Sequence, residues 1–434
     1  MKNILRRPRR NDSRRTRSRS LGKRQRHPTL EVLEDRHLLA AVAWDGDAGD
    51  GLWQSAVNWS NDLVPGADDD VMIDLAGDVT VTVTSAPAAV HSLTNRETLH
   101  VSGRSAGGHA LLTVNDTFTN EGILRLESLN STWRSNVTVN GSLVNTVSGT
   151  IDVNIGTGGE RIFRGAMVNE GVIDIDDNVS RGNSQFLGNF TAAGGAIQGD
   201  LYFRNSTFEF TAAQPEGTEY LFVGDGNRIV GDVVETAEIW VHGNRAWSDS
   251  ILVVDSVTVN HGTIRLESID SSYFFGLAVQ SSASFTNAPT GVIEINQGTN
   301  GERWIQVDGL FVHQGLIEIE ETVLRGNNRF VGNFEAAGGV IAGDIDFIDS
   351  TLEFTVPQPV QNEFVLVRQG NRIVGDIDET VKLWIQGNAV WGDAFFIPDE
   401  DKVNRGTIRL ESIDSSYFSG LIVPQQFPAD EKCG

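Results

Sequence analysis

Apolar and polar residues alternate along most of this chain in short runs, and each run is preceded by the same punctuation: an apolar residue, Asn, a short turn, then Gly. The phrase reads Phe118-Thr-Asn-Glu-Gly-Ile-Leu-Arg-Leu126, Val144-Asn-Thr-Val-Ser-Gly-Thr-Ile-Asp-Val153 and Val168-Asn-Glu-Gly-Val-Ile-Asp-Ile175. It returns as Phe285-Thr-Asn-Ala-Pro-Thr-Gly-Val-Ile-Glu-Ile295 and Val312-His-Gln-Gly-Leu-Ile-Glu-Ile319. A period of two predicts half-buried strands, and no apolar i, i+3, i+4 stripe persists long enough for a substantial helix. The phrase glycines Gly122, Gly149 and Gly171, then Gly262, Gly291 and Gly315, fall 27, 22, 29 and 24 residues apart. One strand phrase per twenty-odd residues predicts an all-β parallel β-helix, or β-solenoid, with each coil stacked on the one below. A sandwich or jelly roll would show shorter hairpin connections and no such phrase.

A coarser repetition lies over the fine one. Arg325–Gly339 nearly repeats Arg181–Gly195, and Thr263–Phe274 recurs unchanged as Thr407–Phe418, both 144 residues on; Gly122–Ser128 is a diverged copy of the same start. At one strand spacing per coil, a unit of this length predicts about six coils and roughly 29 Å of rod. The offset between copies grows from 140 (Gly122 to Gly262) through 142 to 144 (Gly171 to Gly315), so length changes fall between strand phrases. A stacked array tolerates that, because an extra loop residue leaves the strands in register whereas an extra strand residue flips side chains from core to solvent.

These patterns divide the chain into a leader (1–43), capping coils (44–117), a first repeat (118–257), a second (258–401), and a partial third repeat with a tail (402–434). Trp44, Trp53 and Trp59 are expected to close the open end of the core, which every solenoid must cover; a Trp-lined sugar site is the alternative. The stretch from Trp44 through Val83 resembles the first coils of bacterial surface solenoids related to autotransporter passenger repeats. Only a fragment of the third unit is present, which points to a truncated member of a longer array rather than to a capping tail.

Composition agrees: 39% hydrophobic residues and 46 Gly against 11 Pro suit a folded, turn-rich β protein. Cys433 is the single cysteine, so an internal disulfide, a Cys-rich metal site and a redox pair are excluded. The net charge of −24 conceals an asymmetry, since residues 1–36 hold 13 Lys/Arg against four Asp/Glu and the remainder carries −33. So acidic a body repels nucleic acid and anionic membrane surfaces. Residues 1–28, rich in Arg, Ser and Pro, predict a disordered basic leader. The string that follows, Leu30-Glu-Val-Leu-Glu-Asp-Arg36-His-Leu-Leu-Ala40, resembles the bacterial N-terminal LEPR-XLL motif, with Asp35 in place of its usual Pro. That motif heads large secreted or surface proteins, so the resemblance implies export. Ala41-Val-Ala43 would serve as a cleavage site, although the apolar run Leu38 to Trp44 is short for a signal peptide, and no stretch approaches a membrane span.

Candidate chemistry is thin. Asp45, Asp47 and Asp50 suggest a calcium loop, but the third carboxylate is displaced by one and Ala56 stands where an EF-hand has Glu, which leaves only weak calcium binding by Asp-rich turns open. Gly103-Arg-Ser-Ala-Gly107 fits the nucleophile-elbow string but leads into another strand, so a turn is expected. His91, His100, His109, His242, His261 and His313 lack metal-ligand spacing and are expected at surfaces or turns, His313 in a slot that other phrases give to Asn. Asn120, Asn145, Asn169, Asn260, Asn287 and Asn404 are expected to bond between coils. In the recurrent pairs Arg125/Glu127, Arg265/Glu267 and Arg409/Glu411 the two charges sit at i, i+2 on one strand face, which predicts outward ion pairs or a ladder of weak glycan contacts. No catalytic, cofactor-binding or metal site is assigned. Two functions remain: a non-enzymatic, secreted or cell-surface, adhesin-like solenoid contacting polysaccharide or other surface proteins, and a carbohydrate-active β-helix lyase or hydrolase, which needs one singular groove with paired carboxylates.

Overall fold

The computed structural model describes residues 40–84, 87–104, 108–129, 133–154, 156, 159–179, 182–269, 273–299, 301–323, 326–398, 402–414 and 416–422. The basic leader and the Leu30–Leu39 part of the export-like string lie outside the described residues, as do Ser105 and the tail that carries Cys433.

The chain winds as a right-through parallel β-solenoid with three sides, called here A, B and C in the order the chain visits them. Side B begins with Ala40–Ala43 and Asp69–Ile73, and continues through Ser92–Asn95 and Thr117–Asn120. Side C stacks Thr80–Val83, Thr98–Gly103, Ile123–Ser128, Thr150–Asn154, Val172–Ile175 and Ala196–Gln198. Side A starts with Ala88–Val90 and Ala110–Val114; the long strand Ser135–Asn145 then bends from A to B, as Arg161–Asn169 and Ser184–Ala192 do above it. Every pairing between these strands is parallel and in phrase register: Asn95 opposes Asn120, Asn120 opposes Asn145, and Asn145 opposes Asn169. The alternating runs bury every second residue, and the inward set forms a single core running from Val42 to Phe396. Aromatic rings cluster in part of this core. Phe190, Phe203, Phe208 and Tyr220 pack at 4.8–6.2 Å in the first repeat, and Phe311, Phe330, Phe334 and Phe347 at 5.0–5.7 Å in the second.

The Asn–Gly phrase has a physical basis in the corner it builds. Asn95 donates its amide to Asn120 at 2.9 Å, Asn120 to Asn145 at 2.8 Å, and Asn145 to Asn169 at 2.8 Å, all buried. Asn260 donates to Asn287 at 2.9 Å in the second repeat. The glycine is required because the turn below crowds it: a Cβ at Gly149 would lie 2.3 Å from the Asn120 carbonyl oxygen and 2.5 Å from Asn145 Oδ1, and Gly291 meets Asn260 and Asn287 in the same way.

Between the repeats the turns shorten. Side C is interrupted after Gln198: the segment 211–218 crosses it without strand pairing and 231–237 with only the Val233–Asn260 bridge, by which Val257–Asn260 restarts it. Gln214 pins the first crossing, donating to the Ala192 carbonyl at 3.1 Å and accepting from the Tyr220 hydroxyl at 2.6 Å. Gln358, 144 residues later, does the same to Ala336 at 2.9 Å. These two-stranded turns change the phase of the repeat. Along side B the register column Leu143, Met167, Phe190, Phe208, Ile229, Val254, Val279 climbs six turns. Val279 is the sequence copy of Val139, which lies on side A. One repeat therefore spans six turns and one further side, not six, and each copy of a feature is carried to the next side. The strand bearing Arg125 is on C, that bearing Arg265 on A, and that bearing Arg409 on B.

Candidate functional site

At the amino-terminal end, Trp44 and Trp53 meet the Trp59 ring edge-on at 4.9 and 4.8 Å, and all three are buried. No indole face is open to a sugar ring, so this cluster is the core's cover. Asp50 serves the same turn: it accepts from Ser55 Oγ at 2.5 Å, Asn58 Nδ2 at 2.7 Å and the Leu52 amide at 2.9 Å, which together hold its carboxyl below the usual range. Among the described residues no group of three or more His, Cys, Asp or Glu is placed to hold a metal ion.

The histidines depart from expectation. His91, His109 and His261 are at least partly exposed, but His242 and His313 are buried and His100 nearly so. His313 occupies the slot of Asn169: its Nδ1 lies 3.5 Å from Asn287 Nδ2 and its Nε2 is 3.0 Å from the Val340 carbonyl. Burial pushes its pKa down to about 4. The Arg-Leu-Glu pairs also differ from the simple i, i+2 picture. Arg125 bonds Asp152 on the next turn at 2.7 Å, and Arg265 reaches Glu219 at 2.9 Å, Glu294 at 3.3 Å and Glu238 on other turns; Arg409 alone takes the glutamate of its own strand. Burial lowers the Arg265 pKa, and the three carboxylates outweigh it; burial raises that of Glu219.

A recessed acidic surface lies where a ladder ends. In the second repeat, side A stops at Val340–Ala342, and a cleft of about 560 Å³ opens beside it, walled by Glu318, Glu320, Glu321, Asp344 and Asp346. Asp346 also accepts from Nε1 of Trp391, on the turn 388–392, at 2.8 Å. Arg329, next to the lining residue Asn328, has its guanidinium 5.6 Å from the Trp304 ring, 6.0 Å from the Trp391 ring and 2.6 Å from Glu302. The first repeat has a cleft of its own, about 450 Å³, where side C stops at Ala196–Gln198; it bears Asp200, Glu216 and Glu219 and shares with the other only the turn Gln198–Asp200, equivalent to Ala342–Asp344. There Tyr202 donates to Asp200 at 3.0 Å, and Arg204 lies 5.8 Å from Trp247 on the turn equivalent to 388–392. The sequence reading missed both clefts and also Arg161 and Arg303, buried cations at matching corners. Arg303 donates to the carbonyls of Asn296 and Gly301 at 2.7–2.9 Å and to that of Gln297. Burial lowers the pKa of both arginines. Their only signal was the recurrence of an Arg just before a long alternating run.

No family model matches the chain, and no curated protein matches it. Among the described residues no helix is long and apolar enough to cross a membrane.

Proposed function

We propose that this chain is a non-enzymatic solenoid that works outside the cell, at the surface or in secreted form, and offers its repeated outward patches to glycans or other surface proteins. One observation carries the reading: an outward arginine paired with a carboxylate of the next turn recurs on different sides, Arg125 with Asp152 on C and Arg265 with Glu294 on A, whereas catalysis needs a single constellation. The resemblance of Leu30–Ala40 to the LEPR-XLL motif supports export, and the −33 charge of residues 37–434 supports a role away from nucleic acid. Carboxylates in the cleft of the second repeat favour the rival reading, a polysaccharide lyase or hydrolase. Incubating the full chain with a panel of neutral, acidic and amino polysaccharides decides between them. Saturable binding without new reducing ends or unsaturated products is the expected result; turnover abolished by Asp346→Asn would replace this reading with the enzymatic one.

A further inference from the structure

On its outer surface each repeat lays a short turn back over strands that precede it, and the two copies differ in how that turn is fastened. The turn 244–248 closes through the Asn244–Ser248 bridge in the first repeat, and 388–392 through Asn388–Gly392 in the second. Each covers apolar side chains that point away from the main core. Trp247 packs on Tyr202, Leu221 and Val223, and Trp391 packs on Ile348, Val365, Val367 and Trp384.

The fastening is an asparagine bonded on both sides of its amide. Asn244 Oδ1 accepts from the Ala246 and Trp247 amides at 2.9 and 3.1 Å, and Asn388 Oδ1 from those of Val390 and Trp391 at 3.0 and 2.8 Å. With the oxygen so committed, the nitrogen faces the residue two positions earlier: Gln386 Oε1 at 3.0 Å in the second repeat, His242 Nδ1 at 3.5 Å in the first. That nitrogen only donates, so His242 Nδ1 accepts and the ring is neutral with its proton on Nε2. A protonated imidazole has no acceptor and sets one donor against another, a liability that glutamine lacks. Two more differences loosen the first copy. Ser248 holds a φ of 65° where Gly392 has 80°, a left-handed backbone that glycine adopts without a Cβ clash. Tyr202 stands in the register slot of Asp346, so Trp247 meets a ring at 5.0 Å where Trp391 bonds a carboxylate at 2.8 Å.

The surroundings of His242 do not compensate a new cation. The residue is 1% exposed, and its ring lies 5.8 Å from Tyr202 and 4.8 Å from Trp240, which already carries Arg265 at 5.3 Å. Arg204 stands two turns below, and Arg245 is on the covering turn itself. The nearby carboxylates are engaged elsewhere: Glu267, one turn above, by Asn296 at 3.4 Å, Asp249 by the Phe274 amide at 3.0 Å, and Asp200 by the Tyr202 hydroxyl at 3.0 Å.

We propose that the turn 244–248 is a pH-released strap: protonation of His242 unfastens Asn244 and uncovers Tyr202, Leu221 and Val223, while the glutamine-fastened strap 388–392 stays shut. An exposed imidazole is half protonated at about pH 6.5, and the closed strap accepts only the neutral ring. Closure is therefore complete above that value and lost as the pH falls below it, the open fraction rising about tenfold by one unit lower for a single linked proton.

Hydrogen exchange of the full chain at about pH 7.5 and 5.5, corrected for the intrinsic pH dependence of exchange, reads both straps at once. Protection of the Asn244, Ala246 and Trp247 amides is expected to fall about tenfold on acidification, and that of the Asn388, Val390 and Trp391 amides to stay constant. His242→Gln, which copies the second repeat, is expected to remove the response at 244–248. Equal behaviour of the two straps in the parent overturns the proposal without recourse to a variant. So does a response at 244–248 that survives in His242→Gln.

Discussion

His313 stands in a row otherwise built of asparagines, and replacing it with Asn separates the role of the row from the role of the ring. With Nε2 donating to the Val340 carbonyl and Nδ1 facing the Asn287 amide, the imidazole imitates an asparagine only while it is neutral. Protonation places a donor against a donor and a charge in the core. The sign follows: a folded-state pKa of about 4, below the unfolded value of roughly 6.5, gives stability that is complete above pH 6.5 and lost as the pH falls towards 4. The whole shift is worth about 3 kcal/mol, and the part between pH 7.5 and 5.0 about 2 kcal/mol. Urea unfolding of the parent and His313→Asn at these two pH values isolates the term, since His100 and the carboxylates contribute equally to both proteins. The parent is expected to lose about 2 kcal/mol more than the variant on acidification. Hydrogen exchange locates the effect at the Ala337 and Gly339 amides, which donate to the His313 carbonyl at 2.9 and 3.2 Å. Parallel pH dependence in the two proteins would refute the account.

Other substitutions probe separate parts of the argument. Gly291→Ala is expected to cost about 1–3 kcal/mol by forcing a Cβ into the Asn260 carbonyl, measured by the urea midpoint, while Ala at Gly66, which has ordinary φ and no neighbour nearer than 3.8 Å, is expected to cost less. Arg303→Met removes charge-assisted bonds to three carbonyls and strands those acceptors, so a loss of about 3 kcal/mol is expected in the same assay; an unchanged midpoint would mean that water satisfies them. Trp391→Ala releases the turn 388–392 from Asp346, and limited proteolysis is expected to cut there first, with the core strands still protected.

Much of this architecture could be read from the residues because the constraints are local. Alternation sets which side chains face the core, and the Asn–Gly phrase marks a corner where one turn's amide and the next turn's carbonyl leave no room for a Cβ. The Trp44, Trp53 and Trp59 cover was likewise legible as aromatic surface clustered at one end. The extra third of a turn per repeat was not. It arises in residues 199–256, where side C is bridged by irregular segments held by Gln214, and spacing alone does not tell a two-stranded turn from a three-stranded one. The clefts escaped notice for the same reason: nothing in the spacing of Asp344 and Asp346 sets them apart until the end of the side A ladder brings them beside Glu318 and Glu320. His242 and Arg303 show the general limit, since a polar residue at an inward position announces its burial only once its partners are in place.

The fractional turn count governs what duplication does for this molecule. With a whole number of turns, each added unit would lengthen one stripe of identical patches; with six and a third, an outward patch regains its bearing only after three units, or nineteen turns, about 90 Å along the axis. A gene that grows by copying this module gains new compass directions before it gains reach, like lamps set around a mast instead of along one rail.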